Sequence, residues 1–200
     1  MNDKDLEWEE LSTEHIIQDE WIDFRKSAYR YPDGRVFEPF YSYSRRDYTV
    51  IVASDEEGNY LCVRQVRQGI KRVTTEFPAG GIERGDGKEY GDQDPVETAL
   101  DCARRELIEE TGYESSEWTH LITIPSNATI ADNYAHVFRA KNCRRVAQQH
   151  LDETECLNVE KHSAGEIEEF IRTGRFQQAV HVMAWLLAKD RSVFGEGEVI

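Results

Sequence analysis

Apolar and polar positions alternate from Leu6 to Arg46, the period of half-buried strands, and the Pro32-Asp33-Gly34 turn in "YPDGRV" separates two of the runs. This predicts a small antiparallel sheet ending near "YSYSRR", and with it a separate N-terminal domain over 1–46. From Asp47 to Gly69 two β-rich runs flank Glu57-Gly58-Asn59, the pattern of a hairpin. Thr74 to Asp94 is glycine-rich with little apolar content, so a strand end there passes into a loop. The pattern turns helical over 95–111, after which "WTHLITIP" and "NYAHVFRAKNC" read as strands. "SAGEIEEFIRTG", Ser163 to Gly174, is a helix with a capping box from Ser163 and Glu166 and a terminal glycine. "FQQAVHVMAWLLAKD" is a closing helix. Strands interleaved with helices predict a second domain over 47–200, an α/β layered structure on a mixed sheet.

Charge narrows the chemistry. The 39 acidic residues outnumber the 24 basic ones, giving a net charge of -15, and no lysine/arginine stripe runs against that balance. A nucleic-acid groove and an anionic membrane surface are therefore disfavoured, while a phosphate ligand remains accessible if a divalent cation mediates. No apolar run approaches membrane-spanning length. The four cysteines, Cys62, Cys102, Cys143 and Cys156, have no metal-ligand spacing, and "MNDKDLEWEE" carries no secretory pattern, so a reduced cytoplasmic setting is expected.

The strongest local signal is "RRELIEETGY", Arg104 to Tyr113. On a helix, Glu106, Glu109 and Glu110 fall within roughly a 100° arc bordering the apolar stripe of Ala99, Ala103 and Leu107. Like charges beside a core repel unless something positive intervenes. Arg105 stands four residues before Glu109 and can neutralise it. Two carboxylates remain, and hard divalent cations such as Mg²⁺ take carboxylate oxygens. The helix start has two candidate caps: Asp94-Pro95 with Glu97, or Thr98 with Asp101.

The same stretch resembles the second half of the Nudix box, Arg-Glu-apolar-x-Glu-Glu-x-Gly-apolar, with an acid eight residues before Arg105 at Glu97. The full box, beginning Gly-x5-Glu, can be laid on Gly91 through Tyr113. Yet "AGGIERGD", Ala79 to Asp86, resembles the phrase that holds the box glycine in this family. That makes Gly80 or Gly81 the physical counterpart, with a ten-residue insertion inside the loop. The resemblance favours the Thr98 cap, leaving Glu97 in the loop, where it can fold back to Arg105 or a metal.

Further phrases place the resemblance in one branch. "RQVRQG" followed by "TEFPAGG" is similar to ADP-ribose pyrophosphatases and related nucleotide-sugar hydrolases. The fold it implies is a Nudix-type α/β/α sandwich with a mixed sheet, preceded by the small antiparallel sheet. It implies Mg²⁺ (or Mn²⁺) held by Glu106, Glu109, Glu110, Glu97 and the Ala79 carbonyl. Arg67 would contact a phosphate or ribose, and Glu76 a polar part of the substrate. Glu153 and Glu155, in the "DETE" loop, would serve as general base or complete the metal site. The implied reaction is hydrolysis of a nucleoside diphosphate derivative, foremost ADP-ribose to AMP and ribose 5-phosphate, by a homodimer. GDP-mannose or another nucleotide sugar would use the same acids. A module that senses ADP-ribose without cleaving it would be expected to have lost one of them.

Overall fold

A computed structural model of the chain describes residues 2–84, 95–152 and 155–190. Glu153 and the stretch Asp86–Gln93, the centre of the expected insertion, lie outside the described residues. The chain divides into two compact units.

The first unit holds β1 (Glu9–Gln18), β2 (Asp23–Arg30) and β3 (Val36–Ser44), an antiparallel sheet in the order β1-β2-β3. The turn before β3 uses Gly34 at φ 87°, where a side chain would be strained. Pro125–Tyr134 packs with this unit: Tyr43 bridges to Ala131, and Arg25 and Ser44 both donate to Asp132. Trp8 sits among the rings of Tyr29, Tyr31, Phe37 and Phe40. Even so, Trp8, Ile16, Ile17, Trp21, Phe37 and Tyr41 are exposed.

The second unit is built on β4 (Tyr48–Asp55), whose run "TVIVA" is buried on both faces. Val50 and Val52 enter one core with Phe77, Ile167, Phe176, Ala184 and Trp185. Ile51 and Ala53 enter the other with Ala103, Leu107, Trp118 and Phe138. A strand apolar at successive positions is the pattern of a sheet covered on both sides. The covers are α1 (Ala99–Thr111) on one face and α2 (Ala164–Arg172) and α3 (Ala179–Lys189) on the other. This is the α/β/α sandwich the sequence implied.

Two expectations need correction here. The Asp47–Gly69 hairpin opens at once: β4 pairs with β5 (Tyr60–Arg67) only at Ser54 and Tyr60. Beyond that point β5 pairs instead with β6 (Arg72–Glu76) and β11 (Leu157–His162). The freed flanks of β4 take β7 (Ala79–Gly81), antiparallel, and β10 (Tyr134–Arg145), parallel. The glycine-rich stretch after Thr74 is likewise not all loop, since β7 lies within it. Three residues with two glycines have no alternation for a pattern to reveal. The remaining strands, β8 (Tyr113–Glu114) and β9 (Glu117–Pro125), pair with β10.

Candidate active site

Helix α1 begins where Thr98 caps it, its hydroxyl accepting from Asp101 N–H. It ends at Gly112, left-handed at φ 76°, whose N–H donates to Ile108 O. Between these stops the helix turns Glu106 and Glu110 inward with Ala103 and Leu107. The two acids are only 7% and 2% exposed, deeper than the rim position their spacing suggested.

Strand β7 lies directly against these acids. Ala79 N–H donates to Glu110 Oε2 at 2.9 Å. A β-carbon on Gly80 would come within 1.9 Å of the Glu106 carboxyl. Gly80 thus has the contact with the acidic helix expected of the box glycine, while Gly91 lies outside the described residues. Sequence reasoning offered Gly80 or Gly81, and this contact distinguishes Gly80.

Arg105 gathers the acids around the cluster. Its Nη1 donates to Glu106 Oε1 and Glu109 Oε2, each at 2.8 Å. Its Nη2 and Nε hold the two oxygens of Glu97 at 2.8 and 3.2 Å, and Nη2 also reaches Gly81 O. Glu97 additionally accepts from Glu83 N–H. Burial would raise the Glu97 carboxyl, but the Arg105 fork and the Glu83 amide outweigh it and hold it below the usual range. Burial likewise opposes the Arg105 charge, and its three acidic partners overcome that.

Glu155 completes the picture. Oxygens of Glu106, Glu110 and Glu155 lie within 4.8 Å of one another, the one group of three potential metal ligands among the described residues. Glu97 and Glu109, expected as ligands too, are outside this group of three and are held by Arg105 at its edge. Burial pushes Glu106 up to about 7, against Arg105, with Glu155 and Glu109 adding repulsion. Burial also drives Glu110 well up, with Glu106 and Glu155 adding to it and the Ala79 amide opposing. Two buried carboxyls that resist ionising, with the Glu155 carboxylate close beside them, suit a hard divalent cation, whose charge offsets both burial and mutual repulsion. The residues fit Mg²⁺ or Mn²⁺.

Beside this cluster, Arg67 Nε and Nη2 grip both oxygens of Glu76, and Thr74 donates to the same carboxylate. Burial would raise Glu76, but the Arg67 fork, His181 and Thr74 bring it below its ordinary value. Glu76, which the sequence reading set against a polar part of the substrate, is 0% exposed with both oxygens bonded to Arg67 and Thr74. The partly exposed group of the pair is Arg67. Thr74 was missed, although i and i+2 on a strand share a face and the spacing was there to read. His181 of α3 lies under this pair and accepts from Phe77 N–H at 3.2 Å.

Comparison with known proteins agrees with this geometry. The NUDIX domain profile matches residues 44–186. An ADP-ribose pyrophosphatase of Bacillus subtilis (strain 168) is 30% identical over 163 residues, 78% of each chain. A methanol dehydrogenase activator of Bacillus methanolicus is 30% identical over 135 residues, 67% of each chain. Among solved structures, that of an ADP compounds hydrolase has the same fold. It superposes with a TM-score of 0.74 over 92% of this chain and 94% of its own, at 18% identity. The NUDIX match spans both the glycine strand and the Arg105-centred acids, and the chain belongs to the Nudix family of pyrophosphohydrolases.

Proposed function

We propose that this protein hydrolyses the diphosphate of a nucleoside diphosphate joined to a second group, with ADP-ribose as first substrate, yielding AMP and ribose 5-phosphate. The observation that carries the reading is the cluster of Glu106, Glu110 and Glu155 packed against the Ala79–Gly81 strand. The kinship with the Bacillus subtilis ADP-ribose pyrophosphatase, and the fold shared with the ADP compounds hydrolase, support the substrate class.

In this reading Glu106, Glu110 and Glu155 hold Mg²⁺ or Mn²⁺, with Glu109, Glu97 and the Ala79 carbonyl as further oxygen donors at the edge. When bound, the cation neutralises the diphosphate and activates a water for in-line attack. Arg105 keeps Glu97, Glu106 and Glu109 turned to one side of α1. Arg67 offers its guanidinium to a phosphate or ribose oxygen, held by Glu76. Glu155, or Glu153 beside it in sequence, takes the proton of the attacking water.

The protein acts as a homodimer in this proposal, because the first unit exposes Trp8, Ile17, Trp21, Phe37 and Tyr41. The cytoplasmic setting is supported by four free thiols. No helix among the described residues is long and apolar enough to cross a membrane.

The test is a panel of ADP-ribose, GDP-mannose and other nucleotide sugars with Mg²⁺, scored for release of the nucleoside monophosphate. ADP-ribose should be cleaved fastest, and EDTA should abolish all cleavage until Mg²⁺ or Mn²⁺ is restored. Full activity in chelator, or cleavage of no member of the panel, sinks the reading.

A further inference from the structure

The C-terminal end of α1 leaves carbonyls that the helix itself cannot satisfy. One segment, running on from β10, supplies their partners. Val146 and Ala147 donate their N–H groups to Gly112 O at 2.9 and 3.1 Å, and His150 N–H donates to Glu109 O at 2.9 Å. Gln149 Nε2 donates to Glu110 O at 2.6 Å. The approach is so close that a β-carbon on Gly112 would meet Ala147 O at 2.4 Å. Gly112 is thus needed both for its left-handed backbone and for the room it leaves.

The same segment leads to Glu155. Asp152 N–H donates to Glu155 Oε2 at 3.2 Å, and Glu155 N–H donates to Asp152 O at 2.9 Å. Two residues later β11 begins, with Leu157 in register with Gln65 of β5. Glu155 therefore sits on a short span fixed at one end to α1 and at the other to the sheet.

We propose that residues 146–152 act as a strap that refers Glu155 to the helix carrying Glu106 and Glu110, with Gln149 as its side-chain anchor and a positioning residue for the metal site. The inference rests on the metal reading above. Its physical basis is that three carboxylates from two separate segments hold a small cation well only if their spacing is fixed, and Mg²⁺ tolerates little deviation. Glu106 and Glu110 are spaced by the helix itself. Glu155 is tied on its C-terminal side to the sheet through β11, and among the described residues the strap is what ties its N-terminal side to the helix. The other strap bonds to α1 come from backbone amides, so Gln149 is the one that a substitution can remove.

The experiment measures Mn²⁺ affinity of the full chain by titration followed by electron paramagnetic resonance, with no substrate present. Gln149→Met keeps the side chain's length and removes the donor. It should weaken Mn²⁺ binding about 5-fold, the scale of one hydrogen bond. Gln149→Lys retains a donor at a helix C-terminus, where a cation is favourable, and should bind as the wild type does. In a Glu155→Gln background, Gln149→Met should produce no further loss. Equal affinity of Gln149→Met and wild type overturns the strap, as does an equal loss in both backgrounds, which would make Gln149 a support of helix α1 alone. Wild-type protein whose Mn²⁺ binding is absent, or indifferent to Glu106→Gln, overturns the metal reading and the strap with it.

Discussion

Gly80 and Glu106 touch so closely that no side chain fits between them: a β-carbon at Gly80 would stand 1.9 Å from the Glu106 carboxyl carbon. Gly80→Ala must therefore push the carboxylate out of the cluster or displace β7. Hydrolysis and Mn²⁺ affinity should both fall sharply, and stability by roughly 1–3 kcal/mol, the usual cost of overpacking. Gly165→Ala, with open space around the new methyl, serves as the control and should alter neither. Wild-type kinetics in Gly80→Ala would show that the contact has no role.

Removing charge from the acids separates chemistry from stability. Glu106→Gln and Glu110→Gln should each cut turnover about 100-fold or more while the protein stays folded, since ligand loss removes the cation's hold. Arg105→Ala should differ in kind. It strands Glu97, Glu106 and Glu109 without their shared cation, and breaking such a pair costs roughly 3–5 kcal/mol in buried settings. Urea unfolding in parallel with steady-state kinetics checks both. Near-normal rates in both glutamine variants would remove these residues from the ligand set.

His181 gives the fold a pH dependence of its own. It is 3% exposed, and burial lowers its pKa from 6.5 to about 4, with Glu76 opposing and Arg67 assisting. Because the folded value lies below the unfolded one, the unfolded chain binds the proton first as pH falls. The contribution is intact above pH 6.5 and lost progressively down to about pH 4, a loss of roughly 3 kcal/mol for this shift. Gln can accept the Phe77 N–H without titrating, so His181→Gln should flatten the profile between pH 6.5 and 4. Urea midpoints across that range measure it, and identical slopes in both proteins would refute the assignment.

The exposed face of the N-terminal sheet makes a prediction about association. Ile17 pairs with Phe24, which stacks on Tyr41, and both Ile17 and Tyr41 are about half exposed. Placing lysines at positions 17 and 41 would set like charges against each other across a two-fold interface. The wild type should elute as a dimer by light scattering, and Ile17→Lys with Tyr41→Lys as a monomer. A monomeric wild type would end the homodimer reading.

Much of this architecture was legible in the sequence because its signals were local. The Thr98 cap, the Ser163–Glu166 capping box and Gly112 each mark a helix end through bonds spanning a few residues. The spacing of Glu106, Glu109 and Glu110 also told which acids share a face and paired Arg105 with Glu109, although it did not show that Arg105 would hold Glu106 as well. What remained hidden depends on partners far along the chain. Glu155 reaches its cluster across some fifty positions with nothing periodic around it, so only the family resemblance, and no pattern of the residues themselves, pointed to it. The early parting of β4 from β5 was invisible for the same reason, since it is imposed by β7 and β10 claiming the flanks of β4.

Arg84 and Pro95 face each other as an isolated antiparallel bridge, and Glu83 N–H reaches across to Glu97. From Gly81 to Glu97 the chain runs sixteen positions where the family pattern has six, so ten residues are extra. The Arg84–Pro95 bridge and the Glu83–Glu97 bond close the two ends of the extra stretch into a join, which makes it a candidate splice point. Loop length at such a closed join carries only a small entropic cost. Replacing Asp86–Gln93 with a short Gly-Ser linker should leave Mg²⁺-dependent hydrolysis of some diphosphate substrate in place, with a changed KM; loss of all hydrolysis in a folded protein would give the role of box glycine back to Gly91. If the splice holds, the position is an insertion socket, where a reporter or an affinity peptide can be grafted without disturbing the bonds that hold Glu97.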